Sequence, residues 1–396
     1  MEIETGRSHA WNVADAVLAG LLAYAAYHVA NDGGFMHFNY HLHLAVSFLE
    51  GRLHIAAPPS WLTEFAFVDG RAYVYFDPFP AVFLMPLASV WGLELNMARV
   101  CIAVGALNVF FVRLLLGQLG VSRATANWGA LLFGAGTVHF WAAEYGNTWM
   151  LGHLLAVLAL TLAWLESARE ANPLVLGLLC AMAATSRGPA SLATPIFFVL
   201  ALRAHRRWST VFEFGLPLAF TAVLLGAYNY GRFGDPFDNG YLSANQALLA
   251  PEYGSFSWRY IGKNLYQYFG RLPGWQGSWP WLTLDDHGLS LLATTPAALL
   301  LFRRGWSGRA PDAAFVGGLA LVACLLVQGL YLFYFWDGWR QFGSRYTLDY
   351  TPSLIVALAL RNDPRPGSRR WLFPALVLAS VAVNTWGIWF WRSQRM

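Results

Sequence analysis

Residues 31–78, NDGGFMHFNYHLHLAVSFLEGRLHIAAPPSWLTEFAFVDGRAYVYFDP, form a long polar and aromatic stretch in a chain that otherwise reads as bilayer-embedded helix. They follow the first membrane-length apolar run, Ala14–Ala30, and separate it from every later one. A long, structured segment between two crossings predicts chemistry at a membrane face. It carries Asp32, His37, Asn39, His41, His43, Asp69, Arg71 and Asp77, interleaved with Tyr and Phe.

Composition agrees with that reading. Of 396 residues, 57% are hydrophobic and 12% charged, against about 25% charged in a soluble domain. Mean hydropathy is +0.42. The chain is therefore expected to be an all-α polytopic membrane protein, one transmembrane domain over residues 1–396 with no separate soluble part. Formal net charge is +4, and Lys263 is the one lysine among 26 basic residues. No nucleic-acid partner is expected. Cys101, Cys180 and Cys324 fall inside apolar runs, as small core residues do, with no metal or disulfide spacing. The run Ala14–Ala30 lacks a small-residue cleavage site and reads as a retained helix.

Eleven crossings are expected: Ala14–Ala30, Met97–Leu119, Ala124–Ala143, Thr148–Leu165, Pro173–Thr185, Pro189–Leu202, Val211–Tyr230, Gly288–Phe302, Ala313–Phe335, Leu348–Leu360 and Trp371–Trp391. Phe79–Gly92 is apolar but short, as a re-entrant or interfacial segment would be. Positive charge arbitrates. With the N-terminus cytoplasmic and Phe79–Gly92 not crossing, Arg113 and Arg123, Arg169, Arg203 to Arg207, Arg303 to Arg309 and Arg361 to Arg370 all fall inside. A crossing at Phe79–Gly92 would put every one of these clusters outside. Two segments then share the outer face, residues 31–95 and residues 231–287. The second is crowded with Trp258, Tyr260, Tyr266, Tyr268, Trp275, Trp279 and Trp281, which suit an interface or the faces of sugars.

His41, Ala45, Phe48 and Arg52 are spaced to share a helix face, which predicts an amphipathic helix lying along the interface and ending near Arg52. FNYHLHLAVSFLEGRLHI, VDGRAYVYFDPFPAVFLMPLASVWG, GDPFDNGYL, GLSLLATTPAALL and WRQFGSRYTLDYTP, in that order, together resemble the GT-C superfamily of membrane glycosyltransferases, in particular its bacterial branch related to protein mannosyltransferases and aminoarabinose transferases. The resemblance runs from Ala14 to about Leu360. It implies a bacterial inner-membrane enzyme with juxtamembrane helices and an active site on the outer face. The donor it implies is a polyprenyl-phosphate sugar, and the acceptor hydroxyl belongs to a glycan, lipid or protein.

Such transfer needs a carboxylate to take the acceptor's proton and cations to hold the departing phosphate. Relatives place an acid soon after the first helix, which points to Asp32, although Asn31-Asp32-Gly33-Gly34 also reads as a polar turn. Asp77, before Pro78, is the rival base. His37, Asn39 and Tyr40 stand beside the interfacial helix as candidate substrate contacts. Asp69 is another candidate, or simply the turn residue of Asp-Gly-Arg. Glu144 is expected to bind sugar or acceptor, or to cap a solvated turn. Arg187, Arg340 and Arg345 lie on the outer side, where the inside rule does not account for them, and are the candidate phosphate contacts. Arg345 and Asp349, four apart, could instead pair along a helix. The spacing of His37, His41 and His43 fits no strong ligand motif, so no cofactor is assigned and a divalent metal is left open. A transporter of lipid-linked sugars is the alternative function, but no internal repeat supports it; a membrane scaffold is a third.

Overall fold

The computed structural model describes residues 2–31, 33, 38–241, 244, 249, 251–279, 281–306, 310, 312–364 and 371–393, with the backbone alone for residues 2–10. Asp32 and His37 lie outside the described residues.

Among the described residues, six helices are long and apolar enough to cross a bilayer: Trp11–Ala30, Met97–Gln118, Thr148–Ser167, Ser209–Phe233, Ala313–Phe333 and Leu372–Ser393. The other five expected crossings are shorter, and four of them are broken. Ala124–Ala143 divides into Arg123–Ala135 and His139–Tyr145. Pro189–Leu202 opens with a 3₁₀ turn, Gly188–Ala193, before the helix Thr194–His205. Gly288–Phe302 becomes one turn, Leu291–Thr294, and a 3₁₀ stretch, Pro296–Phe302. Leu348–Leu360 begins in a 3₁₀ stretch, Arg345–Tyr350, and continues as Thr351–Asn362. A proline stands at the start of three of the later halves, Pro195, Pro296 and Pro352. It removes a backbone donor; Thr295, before Pro296, leaves helical geometry at φ −132°, whereas Thr194 and Thr351 are helical, so Pro195 and Pro352 sit in the first turn, where proline is tolerated. Pro173–Ser186 is unbroken, but its 14 residues span ~21 Å, short of the ~30 Å hydrocarbon core.

Polar contacts tie together the ends that the charge rule places inside. Arg113 and Arg123 both bond Asp15 at 2.7 Å. His205 Nε2 donates to the carbonyl of Glu170, Arg203 pairs with Asp312, and Arg303 donates to Asn362. At the opposite end, the Asn31 amide donates to the Glu144 carbonyl and the Thr148 N–H to the Phe38 carbonyl. Helix packing between these faces is close where glycine permits it: a Cβ on Gly177 would lie 2.2 Å from the carbonyl oxygen of Phe214.

The segment after the first helix is built on the helix Tyr40–Leu49, packed against Phe79–Trp91. The latter contains Pro86 and 13 residues, ~20 Å, too short to cross. Six of the ten residues of Tyr40–Leu49 are buried, including Leu42 and Leu44, while Leu49 at its end is exposed. It ends before Arg52, which pairs with Glu50. The chain is predominantly helical, as expected, with two small hairpins, Ala66–Val68 with Arg71–Tyr73 and Gly274–Trp275 with Leu282–Thr283, besides. In the first, Asp69 and Gly70 have φ of 49° and 73°, the left-handed pair that a tight hairpin demands.

Candidate active site

The break after Ser186 creates the site. Gly188 precedes Pro189, so the helix Pro173–Ser186 cannot continue, and Arg187 turns extended at φ −152°, ψ 108°. The Gly188 N–H, released from helical bonding, donates to Asp77 Oδ2 at 2.9 Å. Asp77 arrives from the other side, on the strand-like run leading to the helix Phe79–Trp91. Both residues line a cavity of about 450 Å³, within the usual range of small-molecule sites.

His41 fixes the backbone beneath Asp77. Its Nε2–H donates to the Asp77 carbonyl at 3.2 Å, and its Nδ1 accepts from the Thr148 hydroxyl at 2.8 Å. The same hydroxyl accepts from the His41 N–H at 3.0 Å. Burial lowers the imidazole pKa to about 4, so at neutral pH His41 is an uncharged strut.

Arg187 is held on three sides. Its Nε lies 3.5 Å from Asp349 Oδ2, an ion pair rather than a hydrogen bond. Nη2 donates to the Tyr331 hydroxyl at 3.4 Å, and the guanidinium sits 5.5 Å from the centre of the Tyr346 ring. Asp349 is fully buried and also takes His153 Nδ1 at 2.6 Å and a short bond from the Tyr331 hydroxyl. A buried carboxylate persists only with such partners.

The remaining wall is aromatic. Tyr75, Tyr241, Tyr331, Tyr334 and Tyr346 line the cavity with Phe76 and Trp149. Tyr241 and Tyr334 share a 2.6 Å hydroxyl contact, and Tyr331 stacks on Tyr346 at 4.8 Å. Arg232 supports this wall by donating to the Val74 carbonyl at 2.8 Å. Burial pushes the Asp77 carboxyl above the ordinary carboxylate range, against the opposing pull of Arg187. That combination suits a general base.

Among the expected site residues, Asp77 and Arg187 are brought together. Arg345 approaches the rim, 5.5 Å from the Tyr346 ring, with Nη1 donating to the Trp339 carbonyl. It does not pair with Asp349. The segment is 3₁₀, with three residues per turn, so positions four apart diverge. Tyr40 is buried behind the wall, where its hydroxyl accepts from the N–H groups of Thr63 and Glu64. Asn39 is also buried and makes no side-chain cap for the helix it precedes. Glu144 is fully buried, not part of a solvated turn, and lies off the cavity. Arg340 is exposed over Trp339, and Asp69 is exposed in its hairpin turn; neither lines the cavity.

The structure adds residues the sequence did not single out for this site: Asp349 as the partner of Arg187 and the tyrosine wall, with Glu64 off the cavity behind Tyr75. Burial raises the pKa of Glu64 while Arg345 lowers it, and Glu64 accepts from Tyr75 at 3.4 Å. Their signal is weak because the tyrosines come from segments far apart in the chain. Among the described residues, no group of three or more His, Cys, Asp or Glu is placed to hold a metal ion.

No family model and no curated protein matches the chain. The crystal structure of the Archaeoglobus fulgidus oligosaccharyltransferase in its apo form is similar at 13% identity and TM-score 0.42, covering 96% of this chain and 55% of that one. The chain thus spans about half the length of that neighbour. Likeness at this level carries no argument about function.

Proposed function

We propose that the chain is a GT-C-like membrane glycosyltransferase acting on a polyprenyl-phosphate sugar at the outer face of a bacterial inner membrane. Asp77 takes the proton of an acceptor hydroxyl on a glycan, lipid or protein. The acceptor oxygen bonds to the anomeric carbon as the bond from that carbon to the phosphate oxygen breaks. Arg187 holds the charge that collects on the departing phosphate. Tyrosine and tryptophan faces hold the sugar. The observation that carries this reading is the convergence of Asp77 and Arg187 on one cavity, joined by the Gly188–Asp77 bond. Nothing in the wall favours the transporter alternative.

The test is transfer by the purified protein from polyprenyl-phosphate sugars to candidate acceptors. Asp77→Asn is expected to lower kcat by about 10²–10⁴ with little change in donor KM. If Asp32→Asn abolishes transfer and Asp77→Asn does not, the base is Asp32. Lipid-linked sugar moving across liposomes without transfer would favour the transporter.

A further inference from the structure

A second cavity, of about 380 Å³, lies between Trp11–Ala30, Met97–Gln118 and Arg123–Ala135 and shares no lining residue with the first. Its walls are apolar along Leu18, Leu22, Ala26 and Leu131. Asp15, Arg113 and Asn127 close one end. From Asp15 to Ala26 the first helix advances ~17 Å at 1.5 Å per residue, close to the ~15 Å depth of one leaflet's hydrocarbon. Its length suits one acyl chain of a single leaflet lying along the apolar wall beneath the polar end.

Its polar end has a defined charge. Arg113 is 2% exposed and gives Nη2 to Asp15 Oδ2, while Arg123 is 60% exposed and grips the same carboxylate with Nε and Nη2 at 2.7 Å. Among these three side chains, one carboxylate between two guanidiniums leaves one positive charge; Asp363 lies nearby, accepting from the Ser122 N–H and the Thr125 hydroxyl at 2.9 Å. The exposed Arg123 carries it to the surface, with Trp11 beneath at 5.2 Å, as interfacial tryptophans sit at headgroup depth.

We infer that this groove binds an anionic glycerophospholipid of the leaflet that faces Arg123, one acyl chain along Leu22 and Ala26 and the phosphate on Arg123. The test uses the full-length protein, delipidated in detergent, with native mass spectrometry during titration by phosphatidylglycerol or phosphatidylcholine of identical chains. Wild type binds phosphatidylglycerol about fivefold more tightly, the factor for the ~1 kcal/mol of one basic residue near anionic headgroups. Arg123→Gln brings the two lipids to equal affinity, and Arg123→Lys keeps the preference. Ala26→Phe fills the groove from an exposed position and weakens both lipids; Ala19→Phe serves as a second filling variant. Equal binding of both lipids by wild type would overturn the inference. So would an unchanged preference in Arg123→Gln, or unchanged binding in both filling variants. Transfer activity is not the readout, so the outcome is independent of the proposed reaction.

Discussion

At the scale of residues, the site rests on a carboxylate and a guanidinium with opposite demands. In the proposed reaction Asp77 acts as a base only when ionised, and burial opposes ionisation while Arg187 favours it. Activity therefore rises with pH through a value above the ordinary carboxylate range. Removing the cation raises that value further, so Arg187→Gln is expected to shift the acid limb of kcat/KM to higher pH, besides losing about 10²–10³ in kcat. A limb that stays in place in the residual activity would refute the coupling. Asp349 answers to Arg187 from the other side, and its charge is fully enclosed. Asp349→Asn leaves the guanidinium without its counter-charge and is expected to cost about 3 kcal/mol, read as a lowered Tm of the purified protein. Asp77 was legible from its place before Pro78. Arg187 was legible because positive-inside bias gives no reason for an arginine there. Asp349 was visible only as a spacing to Arg345, and that spacing assumed an α-helix where the chain runs in 3₁₀. Tyr75, Tyr241 and Tyr331 meet through folding alone, and no local pattern announces their meeting.

At the scale of elements, proline and glycine decide where helices stop and how near they lie. The six long helices were readable from apolar length, and the Asp69-Gly70 turn from its residue types. The breaks at Pro195, Pro296 and Pro352 were not, because apolar character continues across them while the backbone changes form. Gly177 marks the contact between Pro173–Ser186 and Ser209–Phe233, and Gly215 on the second helix has open space around its Cβ position. Gly177→Ala is expected to destabilise the protein by about 2 kcal/mol through overpacking. Gly215→Ala should hold or raise Tm, since alanine is the better helix former by about 1 kcal/mol. Equal Tm values for the two variants would show that this helix pair yields readily.

At the scale of the whole molecule, the orientation is an expectation drawn from arginine distribution, and it has a direct check. Cys101, Cys180 and Cys324 are buried, so a membrane-impermeant maleimide should leave wild type unlabelled in intact cells. Arg71→Cys, in the first hairpin, should label without permeabilisation, and Arg207→Cys only after it. The reverse pattern would put the cavity in the cytoplasm. Whichever way the bundle stands, the bond from Gly188 to Asp77 imposes a mechanical condition on it. Arg187 is the neighbour of Gly188 in the chain, so the acid and the cation hang from a common hinge pin. A movement that parts Asp77 from Gly188 breaks that bond, and one that carries the two together must instead part Arg187 from Asp349 and Tyr331.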